Sequence, residues 1–438
     1  MNITEKLHAY IDNRPVYVLG VSTEGESTAR FLLSHGISLT ICDKKSENEL
    51  GEVYKTFKKM GAEFRLGRSY LQSIKPHSFL FRTPGMSAWL PEINHAKNSG
   101  ATLTNHIQLF FSLCSSKIIG VTGTKGKGTT TTLIESILKA SGNEAKIGGN
   151  IGNPPLNFID MLTHSSSAVL ELSSFQLEDV THSPHIAVVL MVTQEHLASG
   201  SKESPNFHRN LHEYLQAKSH ILKFQKSDDS AIINADYANS IGMISIGEGT
   251  KYIYSKTKKV EGAYLETDGK TFQKIKITIN KITVDIGDVI NAKLPGLHNR
   301  ENMMAAALAS YLLGVNPSII HNTLVTFPGL EHRLELVCDI GGISYFNDSF
   351  STTPETAIAA IKAFSRPIVL IAGGSDKGSD YTELGRTIVH STVKSVFMIG
   401  QMRKQIKKAI DNAGGGVQLV DMGTQSISTV INKSQHIL

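Results

Sequence analysis

The chain has 438 residues, with 44 Lys plus Arg against 39 Asp plus Glu for a formal net charge of +5, and 40% of it is apolar. At roughly 150 residues per domain the length suggests about three domains, and the composition excludes a disordered, collagenous or coiled-coil chain. So small a positive excess does not call for a nucleic-acid partner and suits an anionic small substrate.

Before Pro15 there is no apolar stretch of signal-peptide length, and the longest apolar run, 186–192, is far too short to span a bilayer. A cytoplasmic protein with no membrane partner is expected. The first strand signal, VYVLG (16–20), leads into the helical STARFLLSHG; SLTICD (38–43), FLFRTPG (79–85) and KIIGVTG (117–123) follow, the last running into TTTLIESILKASG. Short buried strands alternating with helices predict an α/β fold with parallel sheets covered on both faces. From 251 to 289 charged and β-branched residues alternate, which predicts a local, half-exposed antiparallel meander. Helical signals return at 302–313, and after PGLEHRLE (328–335) a third βα series begins with GISYFND, PIVLIAGG and SVFMIG. The expected domains are 1–105, 106–328 and 329–438. Cys42, Cys114 and Cys338 are too few and too scattered for a disulfide framework or a zinc site.

The run KIIGVTGTKGKGTTTT (117–132) sets a buried strand before a glycine-rich turn and a hydroxyl-rich helix start. Glycines let backbone N–H groups turn toward a phosphate, the helix N-terminus adds a positive dipole end, and Lys127 can reach a transferred phosphoryl group. Gly123, Thr124, Lys125, Gly126, Lys127, Gly128, Thr129 and Thr130 are therefore candidate nucleotide-binding residues. Val121 stands where a strict P-loop has its first glycine, and Gly128 where a Ser or Thr would bind magnesium, which passes that role to Thr129. Glu171 closes the strand in AVLELSSFQLE (168–178), and His196 closes HIAVVLMVTQEH (185–196); both fall at the carboxyl edge where parallel sheets bind ligands. Lys218 lies on the amphipathic segment 208–224, where a lysine that only covers apolar surface is the plain alternative. The opening VLGVSTEGESTARFLL (18–33) is a strand-to-helix turn, but glycines at 20, 25 and 36 do not form the dinucleotide fingerprint G-x-G-x-x-G.

The loop GVTGTKGKGTTTT resembles that of the Mur ligase superfamily, ATP-dependent amide-forming enzymes of cell-wall precursor synthesis, and ELSSFQL is very similar to the D-glutamate-adding branch. The resemblance implies three domains: a Rossmann-like domain for a nucleotide sugar, a central P-loop ATPase-like domain with a small β meander, and a Rossmann-like domain for an amino acid. It implies that ATP drives the joining of D-glutamate to UDP-N-acetylmuramoyl-L-alanine through an acyl phosphate, in a monomer. Glu171, His196 and Thr129 would hold Mg2+, two ions in all, and Lys218 would be carbamylated into a further ligand. Asn299 and Asn302 in LPGLHNRENMMAAAL (294–308) would line the adenine pocket. Arg333 would face phosphates and Asp348 the ribose, while Thr352 and Lys377 would hold D-glutamate. Ser22 and Thr23 would meet the diphosphate, Asp43 the uracil, and Asn150 the muramoyl part. Thr83 replaces a family serine, Glu195 lengthens an aspartate, and Phe350 stands where the family usually has lysine. The family's closing Ser-Pro-Ala-x-x-Ser-x-Asp segment is not found, so a shortened, incomplete third domain is expected. A folylpolyglutamate-synthase-like ligase, supported by Lys127-Gly128, and a non-catalytic nucleotide-binding relative remain the alternatives.

Overall fold

The computed structural model describes residues 2–194, 206–375 and 379–434. The chain divides into two compact units, residues 1–287 with 303–323 and residues 288–302 with 324–438.

The first unit holds two sheets. In the first, β1 (Val16–Leu19), β2 (Thr40–Asp43), β3 (Glu63–Leu66), β4 (Phe79–Arg82) and β5 (Thr102–Thr104) lie parallel in the order β3-β2-β1-β4-β5. Every residue of β1, β2 and β4 is buried, as strands covered on both faces require. The order reverses beside β1, and the helix Thr23–Ser34 starts directly after that strand, capped by Ser22.

The second sheet contains β6 (Lys117–Thr122), β7 (Ala145–Gly149), β8 (Ser167–Glu171), β9 (Ile186–Val189), β10 (Ser230–Asn234), β11 (Thr250–Ser255), β12 (Gly262–Thr267), β13 (Gln273–Ile279) and β14 (Ile282–Asp288), in the order β14-β13-β12-β11-β10-β9-β6-β8-β7. Pairing is parallel from β7 through to β12 and turns antiparallel at β12–β13. The expected local antiparallel meander is present as β12–β14 at the outer end of the main sheet, whereas β11 runs parallel to its neighbours and is registered on β10 from Ser230↔Thr250 to Asn234↔Tyr254. Alternating charge there reports that one face meets water, which says nothing of strand direction. The antiparallel part is local: β12 pairs β13 from Gly262↔Thr278 to Thr267↔Gln273, and the chain turns into β14 at Asn280 and Lys281, both at positive φ.

One apolar core runs from Leu7, Val18 and Phe31 through Ile107 and Phe110 to Leu170, Val189 and Ile233, joining the layers of both sheets. The helix His106–Leu113 is buried on nearly all sides and packs on the helices Ile3–Ile11, Thr23–Ser34 and Ser174–Leu177. The second unit carries an antiparallel hairpin of β15 (Glu335–Ile340) and β16 (Ile343–Asn347), and a parallel sheet β17 (Ile368–Gly374), β18 (Val393–Gly400), β19 (Gln418–Gly423) in that order. Ile361, Ile388, Val396, Met398, Ile406 and Ile410 form its core. Among the described residues, no helix is long and apolar enough to cross a membrane.

Candidate active site

Strand β6 lies between β9 and β8, and its chain leaves the sheet at Gly123 to form the loop before the helix Lys127–Ala140. Gly126 caps that helix at φ +87°, a left-handed conformation that costs a residue with a Cβ about 1 kcal/mol or more. The Thr124 amide donates to Met191 O at 2.7 Å, its hydroxyl donates to Thr193 O at 2.9 Å and shares a hydrogen with the Tyr214 hydroxyl at 2.8 Å. Lys127 folds back, Nζ donating to Gly123 O and Thr124 O at 3.1 Å each. The lysine is thus stored over the loop's own carbonyls, where an arriving phosphate can draw it away. Lys125 and Gly126 are half-buried, while Gly128, Thr129 and Thr130 are buried in the first helical turn.

Glu171 ends β8 in register with Val121 on one side and Gly149 on the other, and is only 4% exposed. Asn150 grips it twice, its backbone N–H donating to Glu171 O at 2.8 Å and its Nδ2 to Oε1 at 2.7 Å. Gly149, at φ +97°, allows this approach, since a Cβ there would lie 2.1 Å from Glu171 O. The expected muramoyl contact, Asn150, therefore orients the expected metal ligand in this structure.

The helix Leu211–Lys223 begins later than the amphipathic pattern suggests, because Asn210 caps it by accepting from the Glu213 amide at 3.0 Å. Lys218 is 2% exposed, with Nζ donating to Gly123 O at 2.9 Å and to Thr122 Oγ1 at 3.4 Å, and lying 4.8 Å from the Tyr214 ring centre. Tyr214 and Lys218, one turn apart, therefore hold the phosphate loop at two points. Sequence reasoning passed over Tyr214; its four-residue spacing from Lys218 was the available signal. Before the helix, His208 stacks on Phe175 at 4.7 Å and its Nε2 meets Ser174 Oγ at 2.9 Å. His196 and Lys377 lie outside the described residues.

At the first sheet, Ser22 is the cap of the helix Thr23–Ser34 and Thr23 its first residue, both exposed. Asp43 is buried with both oxygens engaged, Oδ2 accepting from Val21 N at 2.6 Å and Oδ1 from Lys45 N at 2.9 Å. Arg82, the last residue of β4, was also missed. Its Nε donates to Asp179 Oδ2 at 2.8 Å and its Nη2 to Glu178 Oε2 at 2.8 Å, with Nη1 on Met86 O. Burial raises both acids while the guanidinium pulls them down. Nearby, the Gln176 amide donates to Glu24 Oε1, and burial pushes the Glu24 carboxyl from 4.5 up to about 7 against the pull of Gln176 and Arg82.

In the second unit, Asn299 Nδ2 donates to Pro295 O at 2.6 Å and Asn302 Nδ2 to Asn299 Oδ1 at 3.0 Å, so the two expected adenine residues touch. Asp348 Oδ1 accepts from Leu334 N at 2.9 Å and Oδ2 from the Ser351 hydroxyl, with burial raising its carboxyl. Arg333 lies 4.9 Å from the ring centre of Phe350, which is 59% exposed, so the residue in the lysine's place braces the arginine. Thr352 is exposed beside them.

The Mur ligase middle domain family matches residues 121–310. Over 403 residues the chain is 37% identical to the UDP-N-acetylmuramoylalanine–D-glutamate ligase of Acetivibrio thermocellus, covering 91% of this chain and 83% of that protein. To the enzyme of that name from Symbiobacterium thermophilum it is 36% identical over 400 residues, with coverages of 91% and 85%. Among solved structures it resembles MurF from Acinetobacter baumannii with a TM-score of 0.59 at 15% identity, over 97% of this chain and 86% of that one. UDP-N-acetylmuramate-alanine ligase MurC from Thermotoga maritima matches at 0.53 and 17%, over 93% and 90%. The structural likenesses speak for the fold, and the sequence kinship runs through nine-tenths of the chain: it belongs to the Mur ligase family.

Proposed function

We propose that the protein uses ATP to join D-glutamate to UDP-N-acetylmuramoyl-L-alanine, a step of peptidoglycan precursor synthesis. The observation that carries this reading is kinship at 36–37% identity to ligases of that name, along a chain whose phosphate loop, stored lysine and adjacent buried carboxylate suit phosphoryl transfer. In this reading residues 1–105 take the nucleotide sugar, 106–328 ATP, and 329–438 the amino acid.

A carboxylate oxygen of the L-alanyl group attacks the γ-phosphorus, the bond to the β-bridging oxygen breaks, and ADP leaves with that electron pair. The N-terminus of the helix Lys127–Ala140 and the Lys127 ammonium offset the charge on the phosphoryl oxygens. The neutral amine of D-glutamate then attacks the acyl carbon, phosphate leaves, and the nitrogen gives up a proton. Positioning and electrostatics supply the rate, and no protein nucleophile is needed.

Thr129 and Glu171 are hard oxygen donors of the kind Mg2+ takes, and Asn150 fixes the Glu171 carboxylate. They fit that ion, with His196 and a carbamylated Lys218 completing the donor set for two. Mg2+, when bound, neutralises phosphate charge. As an ammonium Lys218 is a donor to the loop; after losing a proton its neutral amine can add CO2, the nitrogen releasing a second proton, and the resulting carbamate is an acceptor. Asn299 and Asn302 serve the adenine, Arg333 the phosphates and Asp348 the ribose. Ser22 and Thr23 serve the diphosphate, Asp43 the uracil, and Asn150 also the muramoyl part. Thr352 and Lys377 serve D-glutamate. The enzyme works as a cytoplasmic monomer.

The test is phosphate release from ATP by the full chain over a panel of acceptors and amino acids. Release that requires both UDP-N-acetylmuramoyl-L-alanine and D-glutamate is expected. Preference for another amino acid or for a folate acceptor would overturn the substrate assignment, and no release with any pair would leave a nucleotide-binding relative without catalysis.

A further inference from the structure

The helix Thr23–Ser34 places two acids, Glu24 and Glu26, in its first turn, at the end its dipole makes positive. Glu24 differs from an ordinary helix-capping acid. Its Oε1 accepts from the Gln176 side chain, and its Oε2 is buried with no hydrogen-bond partner among the described residues. Beyond Gln176 lies the Arg82 guanidinium, already engaged by Asp179, Glu178 and the Met86 carbonyl. Three largely buried carboxyls thus draw on the Arg82 guanidinium, with Lys97 acting on Asp179 as well, and Glu24 is the one of the three with no direct bond to the guanidinium. Among the described residues Arg82 is the cation that pulls on Glu24. The His106 ring, on Thr28 Oγ1 and Leu156 N, is held neutral because burial lowers it to about 3, and the Thr28 hydroxyl donates to Glu24 O at 2.7 Å.

We propose that Glu24 gates the nucleotide sugar: with a proton on its carboxyl it leaves the helix N-terminus free for the diphosphate, and ionised it is itself the anion there and repels the incoming one. This rests on the reading above that the diphosphate meets Ser22 and Thr23. The geometry assigns the proton to Oε2, since Oε1 is the atom that accepts from Gln176. A diphosphate diester does not titrate near neutrality, so the protein alone sets the pH dependence.

The test is calorimetric titration of the full chain with UDP-N-acetylmuramoyl-L-alanine between pH 6 and pH 8, on the natural protein and on Glu24→Gln. If only the protonated form binds and its midpoint is about 7, the dissociation constant rises about tenfold across that range. In Glu24→Gln it stays level within about twofold. Glu24→Ser should repeat the level profile, and the unfolding midpoint of each variant verifies that it is folded. ATP affinity, measured alongside, should share none of this pH response. Equal slopes in natural and variant protein, or loss of binding at every pH in folded Glu24→Gln, would overturn the gate while leaving the substrate assignment standing. A natural protein that binds no nucleotide sugar even at pH 6 would remove both.

Discussion

Replacing Arg82 with methionine deletes the guanidinium that pairs directly with Glu178 and Asp179 while keeping most of the side-chain volume. The guanidinium has 1% of its side-chain surface exposed and holds Asp179 and Glu178 with N–O distances of 2.6 and 2.8 Å. Removing one member of such a network strands the others, at a cost of about 3–5 kcal/mol. The pH dependence has a defined sign. Burial already raises both acids above their ordinary values, and Arg82 opposes it. Without Arg82 the folded-state values climb further above the unfolded ones, so the folded variant holds protons that its unfolded chain releases, and its stability falls as pH rises through that window. The deficit against the natural protein should therefore be small near pH 5 and full near pH 8. Urea unfolding can be followed by fluorescence of Trp89, the single tryptophan, seven residues beyond Arg82. Adding Asp179→Asn and Glu178→Gln to Arg82→Met should recover most of the loss at pH 8, the signature of stranded charge. A deficit below about 1 kcal/mol, or one of equal size at pH 5 and pH 8, would refute the reasoning.

Lys127→Ala should lower turnover about a hundredfold or more while leaving the unfolding midpoint nearly unchanged, because the half-buried lysine donates to the loop carbonyls of Gly123 and Thr124, contacts that contribute little to stability; near-normal turnover sinks the loop assignment. Lys218→Ala should lose activity that short carboxylates such as formate or acetate partly restore, since they can take the place of a carbamate; activity that no carboxylate restores counts against carbamylation. Gly149→Ala should destabilise by about 1–3 kcal/mol and lower turnover as well, because its Cβ would push on the Glu171 carbonyl beside Asn150. Thermal unfolding together with steady-state rates checks this, and an unchanged pair of values would show that the approach of the two strands is slack.

The architecture was legible where strands are buried on both faces, because VYVL, TICD and FLFR then read as apolar runs whatever their partners. It was not legible in β3 and β5, the two edges of the first sheet. EFRL and TLT carry polar residues and little buried surface, and such segments resemble loops until a neighbour supplies their hydrogen bonds. The outer strands of the second sheet failed differently. Residues 251–289 announce their exposure through alternation and pair antiparallel from β12 outward as expected, yet β11 runs parallel to both β10 and β12, a pairing no local pattern encodes.

The site divides along the same line. The phosphate loop is a local object, with glycines, lysine and helix start consecutive in the chain, and its geometry follows from its own residues. The residues that hold it and tie it to the first sheet are distant in sequence: Tyr214 meets Thr124 across 90 positions, Arg82 meets Asp179 across 97, and Gln176 meets Glu24 across 152. The last two of these ties end in one short stretch, 171–179. Glu171 is gripped by Asn150, Ser174 by His208, Gln176 reaches Glu24, and Glu178 with Asp179 closes on Arg82. In the sequence ELSSFQL carries a family resemblance and one candidate metal carboxylate, Glu171, but in the fold Ser174 and Gln176 also have separate long-range partners. A change anywhere in that stretch should therefore perturb nucleotide-sugar and ATP affinities together, since the same nine residues carry the candidate metal carboxylate at one end and brace the first sheet at the other.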